Sequence, residues 1–153
     1  MIVLDTNVVS ELMKPQTNER VLGWVDAQAQ DELFVTAVTV GEVLYGIARL
    51  PDGKRRLELR AAADETFDID FIDHVLAFDK AAAEHYGHVV SQRERSGRPI
   101  SLADAMIASI CLSYSASLAT RNIADFEGVG LELINPWDDA TKTASRSERG
   151  LSS

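Results

Sequence analysis

The chain has 153 residues, of which 46% are hydrophobic and 25% charged, the size and balance of one ordinary globular domain. No apolar run approaches the roughly 18 residues a membrane span needs, and a lone cysteine, Cys111, excludes an internal disulfide. With 24 acids against 15 bases the formal charge is −9, which argues against a general nucleic-acid footprint and suits a protein that collects divalent cations or meets a basic partner.

The chain opens directly on an apolar run with no basic stretch and no cleavage site, so a signal peptide is not expected and the cytoplasm is the expected compartment. Ile2-Val3-Leu4 reads as a short strand buried on both faces, with Asp5 at its carboxyl end. A short helix follows over 7–13, capped by Thr6 or Asn7 and stopped near Pro15. A helical spacing runs over 18–28, and Leu33-Phe34-Val35 is a second strand. The spacing of Val40, Val43, Leu44 and Ile47 predicts a helix over 39–50, which Pro51-Asp52-Gly53 ends. A charged helix occupies 54–66. The stretch 68–78 is ambiguous, with a strand placed near 74–78. Asp79 then caps a long helix that stops at Ser96-Gly97. Another helix covers 101–115, a strand 117–120, and a last strand 131–134 lies ahead of Pro136.

Strands alternating with helices predict an α/β/α sandwich around a central, mainly parallel sheet of four to five strands. Residues 1–138 make one domain. The tail 139–153, rich in Ser, Thr, Lys and Arg, cannot bury much and is expected to be mobile.

Four acidic positions draw attention. Asp104 is the only charged residue between Ile100 and Thr120, on a helix apolar nearly all round. A buried lone carboxylate there needs a partner, although on helix grounds alone Ser101 as cap with Asp104 in the first turn is the more economical account. Asp5 reads as a ligand or as a turn-forming cap. Glu42 falls off its helix's apolar stripe, the place of a solvated side chain, yet it lies close behind a strand. Asn122 and Asp125 follow the fourth strand, where turn chemistry is their ordinary use. Taken together, all these positions fall just beyond strand ends, and a parallel sheet brings those ends to one edge. Carboxylates crowded there would repel one another unless a cation relieved them. Hard oxygen donors select Mg²⁺ or Mn²⁺. His74, His85 and His88 show no zinc spacing and read as surface or structural residues, and no phosphate-cradling glycine loop is present.

The run Asp5-Thr6-Asn7-Val8-Val9-Ser10-Glu11-Leu12 resembles the opening motif of PIN-domain ribonucleases, in particular the VapC/FitB-like toxins of toxin–antitoxin pairs. Thr39-Val40-Gly41-Glu42, Leu102-Ala103-Asp104-Ala105-Met106-Ile107-Ala108, Thr120-Arg121-Asn122 with Asp125-Phe126, and Asn135-Pro136-Trp137 follow in the matching order. The resemblance covers 1 to about 138 and implies a PIN-like fold. By resemblance Asp5, Glu42 and Asp104 are the metal-site acids. Asn122 stands where many relatives carry an acid, so the fourth position falls to Asp125 or to the Asn122 amide oxygen, with Asp125 preferred. Thr6 and Thr120 would hold the acids or metal-bound waters. Arg121, and Arg55 and Arg56 in the basic run 54–60, are candidates for RNA phosphates, as is the cluster Arg93, Arg95 and Arg98. The implied activity is metal-dependent hydrolysis of RNA phosphodiester bonds. The implied partners are RNA, an antitoxin with a basic C-terminal segment, and a second copy in a homodimer within a larger toxin–antitoxin assembly, with no role for a membrane. The competing readings are a Mg²⁺-dependent phosphatase using Asp5, which would want an acid where Asn7 stands, and a PIN- or receiver-like binding module without chemistry.

Overall fold

The structure, a computed structural model, describes residues 1–138; the tail 139–153 lies outside the described residues. In chain order the strands are β1 (Ile2–Leu4), β2 (Leu33–Thr36), β3 (Val75–Leu76), β4 (Ser117–Ala119) and β5 (Leu133–Ile134). The helices are α1 (Thr6–Leu12), α2 (Glu19–Asp26), α3 (Ala37–Ala48), α4 (Lys54–Glu65), α5 (Lys80–Arg95), α6 (Leu102–Ser113) and the single turn α7 (Ile123–Phe126).

The strands form one sheet in the order β3-β2-β1-β4-β5, and every pairing is parallel. The chain builds outward from β1 to β2 and β3, then crosses back to lay β4 against the other side of β1. Val3 faces Phe34 on one neighbour and Leu118 on the other. The gap between β1 and β4 is therefore where the winding direction reverses, the place where open parallel sheets take ligands.

Both faces of the sheet are covered, and the strand period of two divides each strand between them. Val3 and Leu118 pack with α5 and α6 through Val89, Ile107 and Ile110. Leu4, Val35 and Ala119 pack the other way, against Val8, Val21, Val43 and Ala63 of α1 to α4. That double burial is why the strands read as unbroken apolar runs.

Helix starts follow short polar side chains. Asn18 Oδ1 accepts from Arg20 N and Val21 N, Thr36 Oγ1 from Thr39 N, Asp79 Oδ1 from Ala82 N, and Ser101 Oγ from Asp104 N. The first helix differs from expectation. Asp5, not Thr6 or Asn7, holds the capping position, with extended backbone and Oδ1 accepting from Thr6 N at 2.8 Å. The ambiguous stretch resolves into a wide π-helical turn at Thr66–Asp70 and the two-residue β3. Thr66 Oγ1 donates to the Ala62 carbonyl at 2.8 Å, a side-chain bond that competes with the regular helical ladder. The widened turn lets Phe67 and Phe71 both enter the core. No helix among the described residues is long and apolar enough to cross a membrane.

Candidate active site at the carboxyl edge of the sheet

Asp5 ends β1 at the reversal point and is 4% exposed. Its Oδ2 accepts the Thr120 hydroxyl at 2.7 Å and the Asn7 amide at 3.3 Å. Thr120, itself buried just past β4, accepts from Asn7 Nδ2 at 3.3 Å and from Asn122 N at 3.0 Å. Asn7 Oδ1 accepts from Arg121 N at 3.1 Å. Burial pushes the Asp5 carboxyl up, the donors from Thr120, Thr6 and Asn7 pull it back, and the charge of Glu42 adds to the rise. The net direction is upward.

Glu42 lies in the second turn of α3 and is exposed, as its position off the apolar stripe predicts. It is nevertheless held: Thr6 Oγ1 donates to Glu42 Oε1 at 2.7 Å and lies 3.0 Å from the buried Thr39 Oγ1. Asp104 stands in the first turn of α6, half-buried and not enclosed as the apolar surroundings in sequence suggest. The helix rises out of the core here, leaving Leu102 66% exposed, and its buried face begins at Ala105. The capping reading of Asp104 holds, since its N–H donates to Ser101 Oγ at 3.2 Å, and the same residue lies within the electrostatic reach of Asp5, Asp125 and Glu42. Burial first, then Asp5, and after these Asp125 and Glu42, push that carboxyl up to about 6 against the pull of Ser101.

The four acids thus share one electrostatic field. Asp125, exposed on α7, is the member of the Asn122/Asp125 pair whose charge acts on Asp104. Asn122 contributes its backbone N–H to Thr120. Among the described residues no three Asp, Glu, His or Cys side chains stand at the mutual spacing of metal ligands. The acids are neighbours through their fields and do not yet share a cage. Their donor set, all carboxylate oxygen with the repulsion unrelieved, fits a hard divalent cation and not a soft one.

The candidate phosphate-binding residues separate. Arg55 lines a cleft of about 710 Å³ that also contains Thr6, Ser10, Glu42 and Leu59. Arg56 is tied to Asp52 one turn away and faces a different hollow. The Arg121 guanidinium lies over the Trp137 ring, 5.1 Å from its centroid. The cluster at 93–98 does not present three free cations. Arg93 is 5% exposed and gives its donors to the carbonyls of Arg98, Ala124 and Glu127, and Arg98 bonds Glu127. Charge counting could not separate a buried structural arginine from a surface one. His74 is structural as expected, bonded to the Leu33 carbonyl at 2.7 Å and stacked on Phe34. Asn7 and Thr39 tie the two sides of the site together, a role that the sequence does not assign to them. The signal for Asn7 lay inside the run Asp5-Thr6-Asn7, where a capping role explained it without remainder.

Residues 2–130 match the family described as PIN domain. The chain is 40% identical to the VapC ribonuclease Y4jK of Sinorhizobium fredii over 92% of its own length and all of the relative's. It is 35% identical to toxin FitB of Neisseria gonorrhoeae, over 91% of this chain and the whole of that one. The solved structure of FitAcB from Neisseria gonorrhoeae contains a chain that superposes with a TM-score of 0.80 at 32% identity, covering 91% of this chain and 100% of its own.

Proposed function

The chain belongs to the PIN-domain family, on its VapC/FitB branch, and from that premise we propose that it is a metal-dependent endoribonuclease acting as the toxin of a toxin–antitoxin pair. The observation that carries the proposal is the gathering of four acids at one sheet edge, where Asp5, Asp125 and Glu42 each add to the burial that pushes Asp104 up to about 6. Asp5, Glu42 and Asp104 would hold Mg²⁺ or Mn²⁺, with Asp125 as the fourth acid. When bound, such an ion supplies an acidified water and neutralises charge developing on a phosphodiester.

The chain's own residues prepare that site. Thr120 and Asn7 fix the orientation of Asp5 Oδ2, and Thr6 N holds Oδ1. Donors to the carboxylate favour its charged form and oppose the rise that burial causes. Thr6 keeps the flexible Glu42 side chain turned toward the pocket. Ser101 sets the first turn of α6, and with it Asp104. The phosphatase alternative needs an acid at position 7, and Asn7 there donates to Asp5.

The partner is an antitoxin whose basic C-terminal segment meets this acidic edge, and the toxin is a homodimer within a larger hetero-oligomer in the cytoplasm. Support comes from the FitAcB relative, from the formal charge of −9, and from exposed Leu22 and Tyr45 on α2 and α3. The test is RNA cleavage with Mg²⁺ or Mn²⁺, with and without EDTA. Asp5→Asn and Asp104→Asn should each abolish cleavage while circular dichroism stays native. Cleavage at the wild-type rate by both would end the proposal.

A further inference from the structure

A second chemistry adjoins the acids. The Arg121 N–H donates to Asn7 Oδ1 at 3.1 Å, and Asn7 Nδ2 donates to Asp5 Oδ2 at 3.3 Å. The main chain of Arg121 is therefore two hydrogen bonds from the Asp5 carboxylate. Its side chain lies over the Trp137 indole, 5.1 Å from the centroid. Trp137 is half-buried and fixed, with its N–H on Asn135 Oδ1 at 2.9 Å. Its carbonyl accepts from Arg20 Nη1, which arrives from α2, at 3.4 Å.

The charges of this patch are not spent. Among the described residues neither Arg20 nor Arg121 forms a salt bridge with a carboxylate. Glu11 feels the Arg121 charge weakly, but its oxygens are taken by Lys14 Nζ at 2.6 Å and Asn18 N at 2.8 Å. Arg56 and Arg60, by contrast, are each paired one turn away on their own segment. A chain of charge −9 thus brings two guanidinium groups without a carboxylate partner among the described residues to one tryptophan, Arg121 over its ring and Arg20 on its main-chain carbonyl.

A planar guanidinium stacked on an aromatic ring keeps its N–H fork free for phosphate oxygens, and the stacked plane offers a face to a base. The acidic pocket repels an RNA backbone, so a substrate needs cations beside it. We propose that Arg20, Arg121 and Trp137 form the track that holds the single-stranded RNA flanking the bond to be cut. The proposal rests on the ribonuclease reading above.

The test separates the two. A labelled short single-stranded RNA is titrated with the full chain in EDTA, where nothing is cut, across a series of salt concentrations. The double variant Arg20→Gln/Arg121→Gln should bind about tenfold more weakly at low salt, and its salt slope should fall by about 1.4, roughly 0.7 for each phosphate no longer neutralised. Arg121→Lys, which keeps the charge, should recover most of the slope. Asp5→Asn should lose cleavage and keep the slope. An unchanged slope in the double variant, while the wild type cuts RNA with Mg²⁺, overturns the track and leaves the nuclease standing. Equal loss in Arg121→Lys together with a lower Tm also overturns it, because the stack would then only pin the C-terminal strand. Loss of a protein partner with RNA binding intact does the same.

Discussion

Thr120 donates its hydroxyl to Asp5 Oδ2 at 2.7 Å across 115 positions of sequence. The bond joins the ends of the two strands flanking the winding reversal, and it is the largest single influence holding the Asp5 carboxyl down against its burial.

Thr120→Val removes that donor while keeping the side chain's shape. The Asp5 pKa should rise further, and RNA cleavage should fall by about 10- to 100-fold, the usual cost of losing an outer partner of a metal ligand. The acidic limb of the pH–rate profile should move upward. Thr120→Ser should restore most of both. Wild-type rates for Thr120→Val would show that the hydroxyl serves packing alone.

Asp104 gives a stability prediction whose sign is fixed by the direction of its shift. Its folded pKa is raised from 3.8 to about 6, so the folded chain binds this proton more tightly than the unfolded one. Without metal, stability is highest with Asp104 protonated and falls as pH rises from about 4 to about 6. Asp104→Asn should therefore stabilise the metal-free protein at neutral pH by about 1 kcal/mol, a value discounted for the solvent that reaches this half-exposed side chain. The advantage should vanish near pH 4. Calorimetry in EDTA at both pH values checks this, and an equal gain at both would contradict it.

Divalent cation should act in the same direction. Mg²⁺ or Mn²⁺ at about 100 times its dissociation constant should add about 2.7 kcal/mol to wild-type stability. The gain should be lost in Asp5→Asn and reduced in Asp125→Asn. A Tm that rises equally in all three would place the ion elsewhere.

Arg93→Ala should cost about 2 kcal/mol, because a buried side chain is removed and the carbonyls of Arg98 and Glu127 lose its donors, while that of Ala124 keeps Arg98 Nη2. The segment carrying Asp125 should then exchange its amide hydrogens faster. Arg95→Ala, an exposed neighbour on the same helix, should change stability by less than about 0.5 kcal/mol.

The layered fold was legible because doubly buried strands leave unbroken apolar runs, as in Ile2-Val3-Leu4, and because caps such as Asp79 and Ser101 carry local signatures. That Asp5, Glu42 and Asp104 come within reach of one another's charge was legible from their shared position past strand ends. What escaped was set by tertiary contact. The half-exposure of Asp104 depends on how far α6 projects past the sheet, which its apolar neighbours do not encode. The burial of Arg93 depends on loop carbonyls some 30 residues onward. The π-helical turn at 66–70 serves two phenylalanines whose destinations are not local.

The pairing of β1 with β4 also orders events in time. β1 precedes β2, yet its second neighbour begins only at Ser117. Until then Asp5 has neither Thr120 nor Asp104's neighbour α7 beside it, and loop closure over so long a span comes late. A copy lacking β4 and α7, however much of α1 to α5 it contains, has neither the Thr120 hydroxyl on Asp5 nor the charge of Asp125 acting on Asp104, so this edge exists only once the two halves of the sheet have met.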